Sequence, residues 1–203
     1  MPRPKKTPAQ LEATRGEILD TALTILQETG PEAITSRAIA ERMGVAHMSL
    51  FTYFENQSAI LRALRLREMT KWHAKQEFFN QRAEAEDIVL VVEDLLRFFI
   101  AFARENPNLY RIAWVMSEVG GETPAESRQR MQVTTGRLAT LLQKGMESGA
   151  FKPRNSFLAA GTVLAIINTP FIFFYSGKLV DITLRDQMVD EVLVAAMGYL
   201  KKK

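Results

Sequence analysis

Apolar residues recur along most of this chain at spacings of three and four, which is the pattern of helices that bury one face. The first segment has its apolar positions at Leu11, Ile18, Ala22, Ile25 and Leu26. The strict alternation of apolar and polar residues that marks a half-buried strand persists nowhere in the sequence. The pattern therefore predicts an all-α fold of about nine helices.

Capping and turn residues divide the N-terminal part into separate helices. Thr7-Pro8-Ala9-Gln10 is a capping box with Pro at the first helical position, and Gly30-Pro31 ends the helix that it opens. A short helix follows Thr35, and Gly44-Val45 supplies a tight turn. After a second short helix, Asn56 is expected to cap a longer helix that reaches about residue 80.

The C-terminal part is also helical and is richer in apolar residues. Five helices are predicted there: Ile88–Glu105, Pro107 to Gly120-Gly121, Thr123 to Gly149, Asn155–Ser176 and Thr183–Leu200. No long linker separates the two parts, so the helix after Asn56 is expected to connect them. The predicted parts are residues 1–54, a connecting helix over 55–82 and a C-terminal domain over 83–203.

The segment between Gly44 and Asn56 has the most distinctive side chains. On a helix over residues 47–54, Leu50, Phe51 and Phe54 would point inward. The outward positions are uncharged: His47, Met48, Ser49, Thr52 and Tyr53. A helix this short must be held by its neighbours, and such a face fits the major groove of DNA. We therefore predict a helix-turn-helix with its recognition helix at about residues 47–54.

Net charge adds little to this prediction. The chain has 26 Lys and Arg against 23 Asp and Glu, a formal charge of +3, and residues 1–54 hold six of each sign. DNA phosphates would therefore be neutralised by flanking cations, namely Arg37, Arg62 and a basic arm at Arg3, Lys5 and Lys6. That arm is either a minor-groove arm or a disordered tail.

Other functional classes find less support in the sequence. It has no Cys, two His and no Gly-rich phosphate loop, so neither an enzyme nor a metal or cofactor site is expected. The lack of Cys also fits a cytoplasmic protein. Asn155–Gly177 is a stretch of 23 residues without a charge, close to the length of a membrane span. A buried helix is the first interpretation of this stretch, and an apolar membrane anchor is the alternative.

The spacing of the N-terminal motif is similar to that of a known family. An Ile-Leu-x-x-Ala helix leads to a Gly, then to Thr-x-x-x-Ile-Ala-x-x-x-Gly-Val, and then to Leu-aromatic-x-Tyr-Phe before a capped helix. The residues that match are Ile18, Leu19, Ala22, Gly30, Thr35, Ile39, Ala40, Gly44, Val45, Leu50, Phe51, Tyr53, Phe54 and Asn56. This run resembles the DNA-binding domain of the tetracycline-repressor (TetR) family of transcriptional regulators.

The resemblance, together with the outward face described above, indicates which residues contact DNA. They are Thr35, Ser36 and Arg37 at the second helix, His47, Met48, Ser49, Thr52 and Tyr53 on the recognition helix, and Gln57 after the Asn56 cap. Two positions depart from the family pattern, which usually has Tyr where Phe51 stands and Lys where Gln57 stands. At Gln57 the positive charge that would contact a DNA phosphate is missing. We therefore expect the slope of log K against log salt concentration to be smaller in magnitude by roughly 1.

The resemblance also implies that the C-terminal helices bind a small effector and form a homodimer. The residues expected to line an effector site are Phe98, Phe102, Trp114, Met131, Thr135, Asn168 and Phe171, although such a stripe also suits a solid core. Their chemistry favours an apolar, roughly uncharged ligand. The last two helices are expected to pack across a two-fold axis. The predicted function is repression at a palindromic operator, relieved by the effector.

Overall fold

The structure, a computed structural model, describes residues 7–116 and 122–202. Within these residues it contains helices and no β-strand, which confirms the predicted all-α fold. The α-helices are α1 (Pro8–Thr29), α2 (Ser36–Met43), α3 (Gln57–Arg82), α4 (Ile88–Glu105), α5 (Pro107–Tyr110), α6 (Pro124–Glu147), α7 (Ser156–Tyr175) and α8 (Ile182–Leu200). Short 3₁₀ helices span Pro31–Ala33 and His47–Thr52, and Arg111–Val115 forms a π-helical turn.

Side-chain caps fix several helix starts where the sequence predicted them. Thr7 and Gln10 form the capping box of α1, and Thr123 forms another with Glu126 at α6. The Thr35 hydroxyl accepts a hydrogen bond from the Ala38 N–H at 3.0 Å, which satisfies one of the free donors at the start of α2. Polar residues just outside the helices therefore define where several of them begin.

The helix predicted after Asn106 is shorter and less regular than expected. The single turn of α5 continues into the π-helical turn over Arg111–Val115. Tyr110, the last residue of α5, and Ile112, in the π-helical turn, are both fully buried. The end predicted at Gly120-Gly121 lies outside the described residues.

The chain divides into two compact units, and unit 1 comprises the residues up to Thr70 together with Asn108–Glu122. Its core gathers Ile18, Leu19, Ala22, Ile25, Leu26, Ile34, Ile39, Ala40, Leu50, Phe54, Ile60, Leu64 and Ile112. The segment from the middle of the chain contributes Ile112 to this core. It is also bound by a hydrogen bond, because Asn108 Nδ2 donates to the Leu26 carbonyl oxygen at 2.9 Å.

Unit 2 comprises Lys71–Pro107 and the residues from Thr123 onward. Within it α7 packs against α4, α6 and α8. The fully buried residues of α7 are Ala159, Ala160, Val163, Ile167 and Phe171. Phe151, also fully buried, has its ring against Gly145 of α6. The sequence-based division into residues 1–54, 55–82 and 83–203 was a division by function. It differs from these two packing units and remains a prediction.

α7 falls within the charge-free stretch of the sequence. By length and composition it is the described helix that is apolar enough to cross a membrane, and 39% of its apolar window is buried inside the chain. Exposed apolar side chains occupy part of the remainder, including Phe157, Leu158 and Phe173. The helix is therefore a partly buried element of unit 2 with an apolar surface still uncovered.

Candidate nucleic-acid interface

The recognition segment, His47–Thr52, depends on its neighbours for its position. It is a six-residue 3₁₀ helix whose N-terminus has no side-chain cap. Gly44, in the left-handed conformation with φ 66°, makes the turn that separates it from α2. Leu50 is 2% exposed and Phe54 5% exposed, both within the core of unit 1. Burial of these two side chains stabilises a helix that could not persist alone.

The prediction that Phe51 points inward is wrong, because its side chain is 40% exposed. The expected faces assumed an α-helix over residues 47–54, whereas the segment has the tighter 3₁₀ geometry and ends at Thr52. With three residues per turn, Leu50 and Tyr53 share the inner face and Phe51 is rotated away from it. Its ring instead meets the His47 ring edge-on, with centroids 5.3 Å apart.

The outward face of the recognition segment is narrower than expected. His47 and Thr52 are exposed, and Met48 is 71% exposed. Ser49 is half-buried, and its hydroxyl donates to the Ala46 carbonyl oxygen at 2.6 Å. Tyr53 is also half-buried and packs against the core of unit 1. The side chains most available to a base edge are therefore uncharged ones, an imidazole, a thioether and a hydroxyl.

The start of α2 lies one helix earlier and holds the other predicted contacts. Thr35 is committed to capping and Ser36 is only 8% exposed. Arg37 is exposed, and no ion-pair partner for it occurs among the described residues. By contrast, Arg42 at the other end of α2 pairs with Glu28 at 2.6 Å. Arg37 is thus the cation of α2 that is available to a phosphate.

Two further polar contacts brace this region, and the sequence indicated neither. Gln57 Nε2 donates to the Ile34 carbonyl oxygen at 2.7 Å, which links the start of α3 to the residues before α2. Arg15 of α1 donates to the Tyr53 carbonyl oxygen and lies over the Phe54 ring. In each bond a side chain donates to a backbone oxygen more than twenty positions away in the chain. The residue spacings that predict helices and turns do not reveal such contacts.

The seven residues expected to line an effector site do not form one cluster. Phe98 and Phe102 of α4 lie beside Trp72, with ring centroids 6.1 and 5.5 Å from it. Trp114 belongs to unit 1, where it stacks on Tyr110 at 5.1 Å. The aromatic residues of the predicted set are therefore divided between two units.

The remaining members of the set are engaged within unit 2. Asn168 Nδ2 donates to the Leu164 carbonyl oxygen of its own helix at 2.7 Å. The buried Thr135 hydroxyl donates to the sulfur of Met131 at 3.5 Å, while Met131 itself is 58% exposed. Phe171 is fully buried. One of the two N–H donors of the Asn168 amide is thus used within its own helix.

Unit 2 contains a small cavity that the sequence did not indicate. Its walls are Trp72, Gln76, Leu95, Leu96, Phe99, Thr134, Leu138 and Leu164, and it has room for about one water molecule. Gln76 Oε1 is buried and has no hydrogen-bond partner among the described residues. Burial first, and then the charge of Arg137, lower the pKa of the neighbouring His73 imidazole. The cavity is thus apolar with one unsatisfied amide oxygen.

Comparison with known proteins decides the family. Residues 18–64 match the family model of bacterial regulatory proteins of the tetR family. The class C tetracycline repressor of Escherichia coli is 42% identical over 50 residues, which are 25% of this chain and 23% of that protein. An uncharacterised HTH-type transcriptional regulator of Mycobacterium tuberculosis is 24% identical over 191 residues, 94% of this chain and 83% of that protein.

The whole fold agrees with this match. The crystal structure of a TetR-family regulator from Pectobacterium atrosepticum superposes with a TM-score of 0.75 at 17% identity, covering 97% of this chain and 99% of that one. Residues 18–64 therefore form a DNA-binding domain of the tetR family, and the chain as a whole has the fold of a TetR-family regulator. It is a DNA-binding transcriptional regulator, as the spacing of Thr35, Gly44 and Leu50 predicted.

The match to the TetR family changes the interpretation of the other features. TetR-family regulators are generally non-enzymatic transcription factors. The alternative of a membrane anchor at Asn155–Gly177 is not supported, because the chain matches DNA-binding regulators over nearly its whole length. TetR-family proteins bind DNA operators and small-molecule effectors as dimers.

Proposed function

We propose that this TetR-family protein is a cytoplasmic repressor that binds a palindromic operator as a homodimer and leaves it when a small apolar effector binds. One observation carries the DNA-binding part. An uncharged outward face at His47, Met48 and Thr52 lies after a fixed turn, and the exposed, unpartnered Arg37 stands on the preceding helix. Base edges would be met by the uncharged face and a phosphate by Arg37.

Selection of DNA by the full-length protein tests this proposal. A library of duplexes with about 30 random base pairs is expected to yield a palindrome whose half-sites are about one helical turn apart, roughly 34–36 Å. His47→Ala and Met48→Ala should each reduce the preference for that duplex over random DNA. Leu66→Ala is the control, because Leu66 is an exposed residue of α3 to which no contact is assigned. Failure to enrich any sequence would contradict the proposal.

Arg37 has a separate signature. Arg37→Gln should lower the slope of log K against log salt concentration by about 1, since one phosphate contact is lost. Arg42→Gln removes the same charge from the same helix. The contact that it loses, however, is the ion pair with Glu28 and not a contact with a phosphate. The slope of this control variant should stay at the wild-type value. Equal changes in the two variants would show that only the net charge matters.

The exposed apolar surface of α7 and α8 supports the homodimer. Phe157 and Leu158 of α7 and Val194 of α8 are 45%, 68% and 71% exposed. Covering such a surface with its own copy stabilises association through apolar burial. Leu158→Asp combined with Val194→Asp should yield monomers in analytical ultracentrifugation, whereas Leu66→Asp, also at an exposed leucine, should leave the dimer intact. A double variant that stays dimeric would exclude this surface.

For the effector, the cavity beside Trp72 is the site that we favour over the dispersed set expected from the sequence. Its apolar walls suit an uncharged apolar molecule, and Gln76 Oε1 would accept one hydrogen bond from it. The cavity must widen to admit a ligand larger than water. α3 contributes Trp72 and Gln76 to the cavity and begins at Gln57 in unit 1, so a shift of α3 would alter DNA affinity. The effect is limited by the ligand's preference for one state.

Fluorescence provides the test of this site. In a Trp114→Phe background Trp72 is the remaining tryptophan, and uncharged N-phenyl-1-naphthylamine should quench it on binding. Leu138→Trp would instead be studied by the fluorescence of the bound dye, because the larger side chain fills the cavity and should abolish binding. Leu66→Trp is the matched control at an exposed leucine. Equal dye binding by both variants would place the effector elsewhere.

A further inference from the structure

Arg15 of α1 contacts the C-terminal end of the recognition segment in two ways. Its Nη1 donates a hydrogen bond to the backbone carbonyl oxygen of Tyr53. Its guanidinium carbon lies 4.1 Å from the centroid of the Phe54 ring, which is the geometry of a cation–π contact. One planar cation therefore holds two consecutive residues at the point where the recognition segment ends.

The recognition segment has few other directional restraints. Six residues of 3₁₀ helix form few internal hydrogen bonds, and no side chain caps the N-terminus. Leu50 and Phe54 are buried, but apolar burial is non-directional and only weakly resists a small rotation of the segment. A hydrogen bond to a carbonyl oxygen depends on both distance and angle. The bond from Arg15 therefore supplies orientation that the apolar contacts lack.

The other neighbour of Arg15 competes little for its guanidinium. Glu12 Oε2 lies 3.8 Å from Arg15 Nε, and the Glu12 side chain is 82% exposed, so this ion pair is weak. The Arg15 side chain is itself 38% exposed. Its guanidinium is partly shielded from water because it lies over the Phe54 ring. Its directional contacts are thus mainly those with the end of the recognition segment.

We propose that Arg15 is a positioning residue for DNA recognition, which fixes the angle at which His47, Met48 and Thr52 are presented without itself contacting DNA. This inference rests on the proposed operator binding. Lys cannot replace Arg15 fully, because an ammonium group lacks the planar fork that donates at its edge while its face lies on an aromatic ring. The identity of the residue therefore matters in addition to its charge.

Binding measurements on the full-length protein test this role. Wild type, Arg15→Gln and Arg15→Lys are compared on the duplex that wild type selects and on random duplex of equal length, over a range of salt concentrations. Arg15→Gln should weaken binding to the selected duplex about tenfold. Its binding to random duplex and its salt slope should stay unchanged, and Arg15→Lys should recover part of the loss. Arg97→Gln, at an exposed residue of α4 in unit 2, controls for the lost charge.

Hydrogen exchange in the free protein provides a second readout that needs no DNA. Arg15→Gln should speed exchange in a peptide covering residues 47–56 while leaving α1 and α2 at wild-type rates. If Arg15→Gln unfolds, Arg15→Lys, which keeps the charge, replaces it in the comparison of exchange over residues 47–56 with exchange in α1 and α2. Unchanged exchange, or an unchanged preference for the selected duplex, would overturn the proposal.

A different loss would also overturn it. If Arg15→Gln weakens both duplexes equally and lowers the salt slope by about 1, Arg15 contacts a phosphate and does not position the segment. If wild type selects no duplex, the proposed operator binding has failed. Hydrogen exchange then still decides whether Arg15 holds the recognition segment, so the two failures are distinguishable.

Discussion

Units 1 and 2 are both helical, but they are specified by different kinds of residue. In unit 1 single polar residues hold single backbone groups, as Thr35 does at Ala38 N–H and Gln57 at the Ile34 carbonyl oxygen. In unit 2 the helices are held mostly by apolar burial, as α7 is through Val163 and Ile167. A bond to one backbone group requires a particular side chain, whereas apolar packing requires only suitable shape and volume.

This difference explains why one unit carries a recognisable motif and the other does not. A recognition segment of six residues must be held at a defined angle, so the residues around it leave a fixed spacing in the sequence. The helices of unit 2 can exchange one apolar residue for another of similar volume at low energetic cost. Variants that remove a directional contact or a packing contact, but not both, test this difference between the two units.

The largest expected effect concerns two adjacent residues of the recognition segment. Leu50→Ala should lower the free energy of unfolding by about 2–5 kcal/mol, because a fully packed side chain is lost from the core of unit 1. Phe51→Ala, at a side chain 40% exposed, should change it by less than about 0.5 kcal/mol. Urea denaturation followed by circular dichroism measures both. Equal losses would restore the inward assignment of Phe51.

In unit 2 a pair of glycines on α6 gives the next largest contrast. A Cβ atom at Gly145 would lie 2.2 Å from the Phe151 ring, so Gly145→Ala should destabilise the protein by about 1–3 kcal/mol. Nothing lies within 4 Å of the corresponding position at Gly136, and Gly136→Ala should stabilise by roughly 0.5–1 kcal/mol. Thermal unfolding compares them. The same sign of change in both variants would mean that packing of Phe151 does not decide this site.

Gln57 tests how far unit 1 tolerates a change toward the family pattern. Gln57→Lys should raise the salt slope of DNA binding by about 1, because it adds a phosphate contact. It should also cost about 1 kcal/mol of stability through the lost bond to Ile34. Gln57→Leu is the control, since it loses the bond without gaining the charge. A steeper slope in the Leu variant would rule out the phosphate explanation.

The smallest effect is an acid-sensitive ion pair in unit 1. Hydrogen bonds from Arg111 and from the backbone hold the pKa of Glu32 below its ordinary 4.5. Because the folded pKa lies below the unfolded one, the pair stabilises the fold above pH 4.5, and this contribution disappears as the pH falls through the folded pKa. Glu32 is 63% exposed, so we expect less than about 1 kcal/mol.

Denaturation of wild type and Glu32→Gln at several pH values checks this prediction. The difference in unfolding free energy between them should be present at pH 7 and should vanish in acid. A difference that does not depend on pH would show that the effect of the substitution is unrelated to the Glu32 charge. Asp20→Asn, at the exposed partner of Arg67, provides a comparison with another surface pair of unit 1.

Much of the fold was predictable from local signals. Thr7 and Thr123 fixed helix starts and Gly44 fixed a turn, because a cap or a left-handed residue acts on its immediate neighbours. The face of Phe51 was not predictable, because the choice between α and 3₁₀ geometry depends on what surrounds a short helix. The cavity beside Trp72 was missed because residues of three different helices besides α3 line it, at spacings that no sequence rule connects.

Local sequence signals were enough to predict most of the helices, the succession of α1, the tight turn and the recognition segment, and the resemblance of the N-terminal domain to the TetR family. These properties depend on residues a few positions apart, whose effects are local. Three features emerge only from the packed chain: Ile112 completes the N-terminal core, Gln57 and Arg15 donate to distant backbone oxygens, and Gln76 lines a cavity. Each of these contacts joins residues far apart in the chain, so it exists only once the helices have packed.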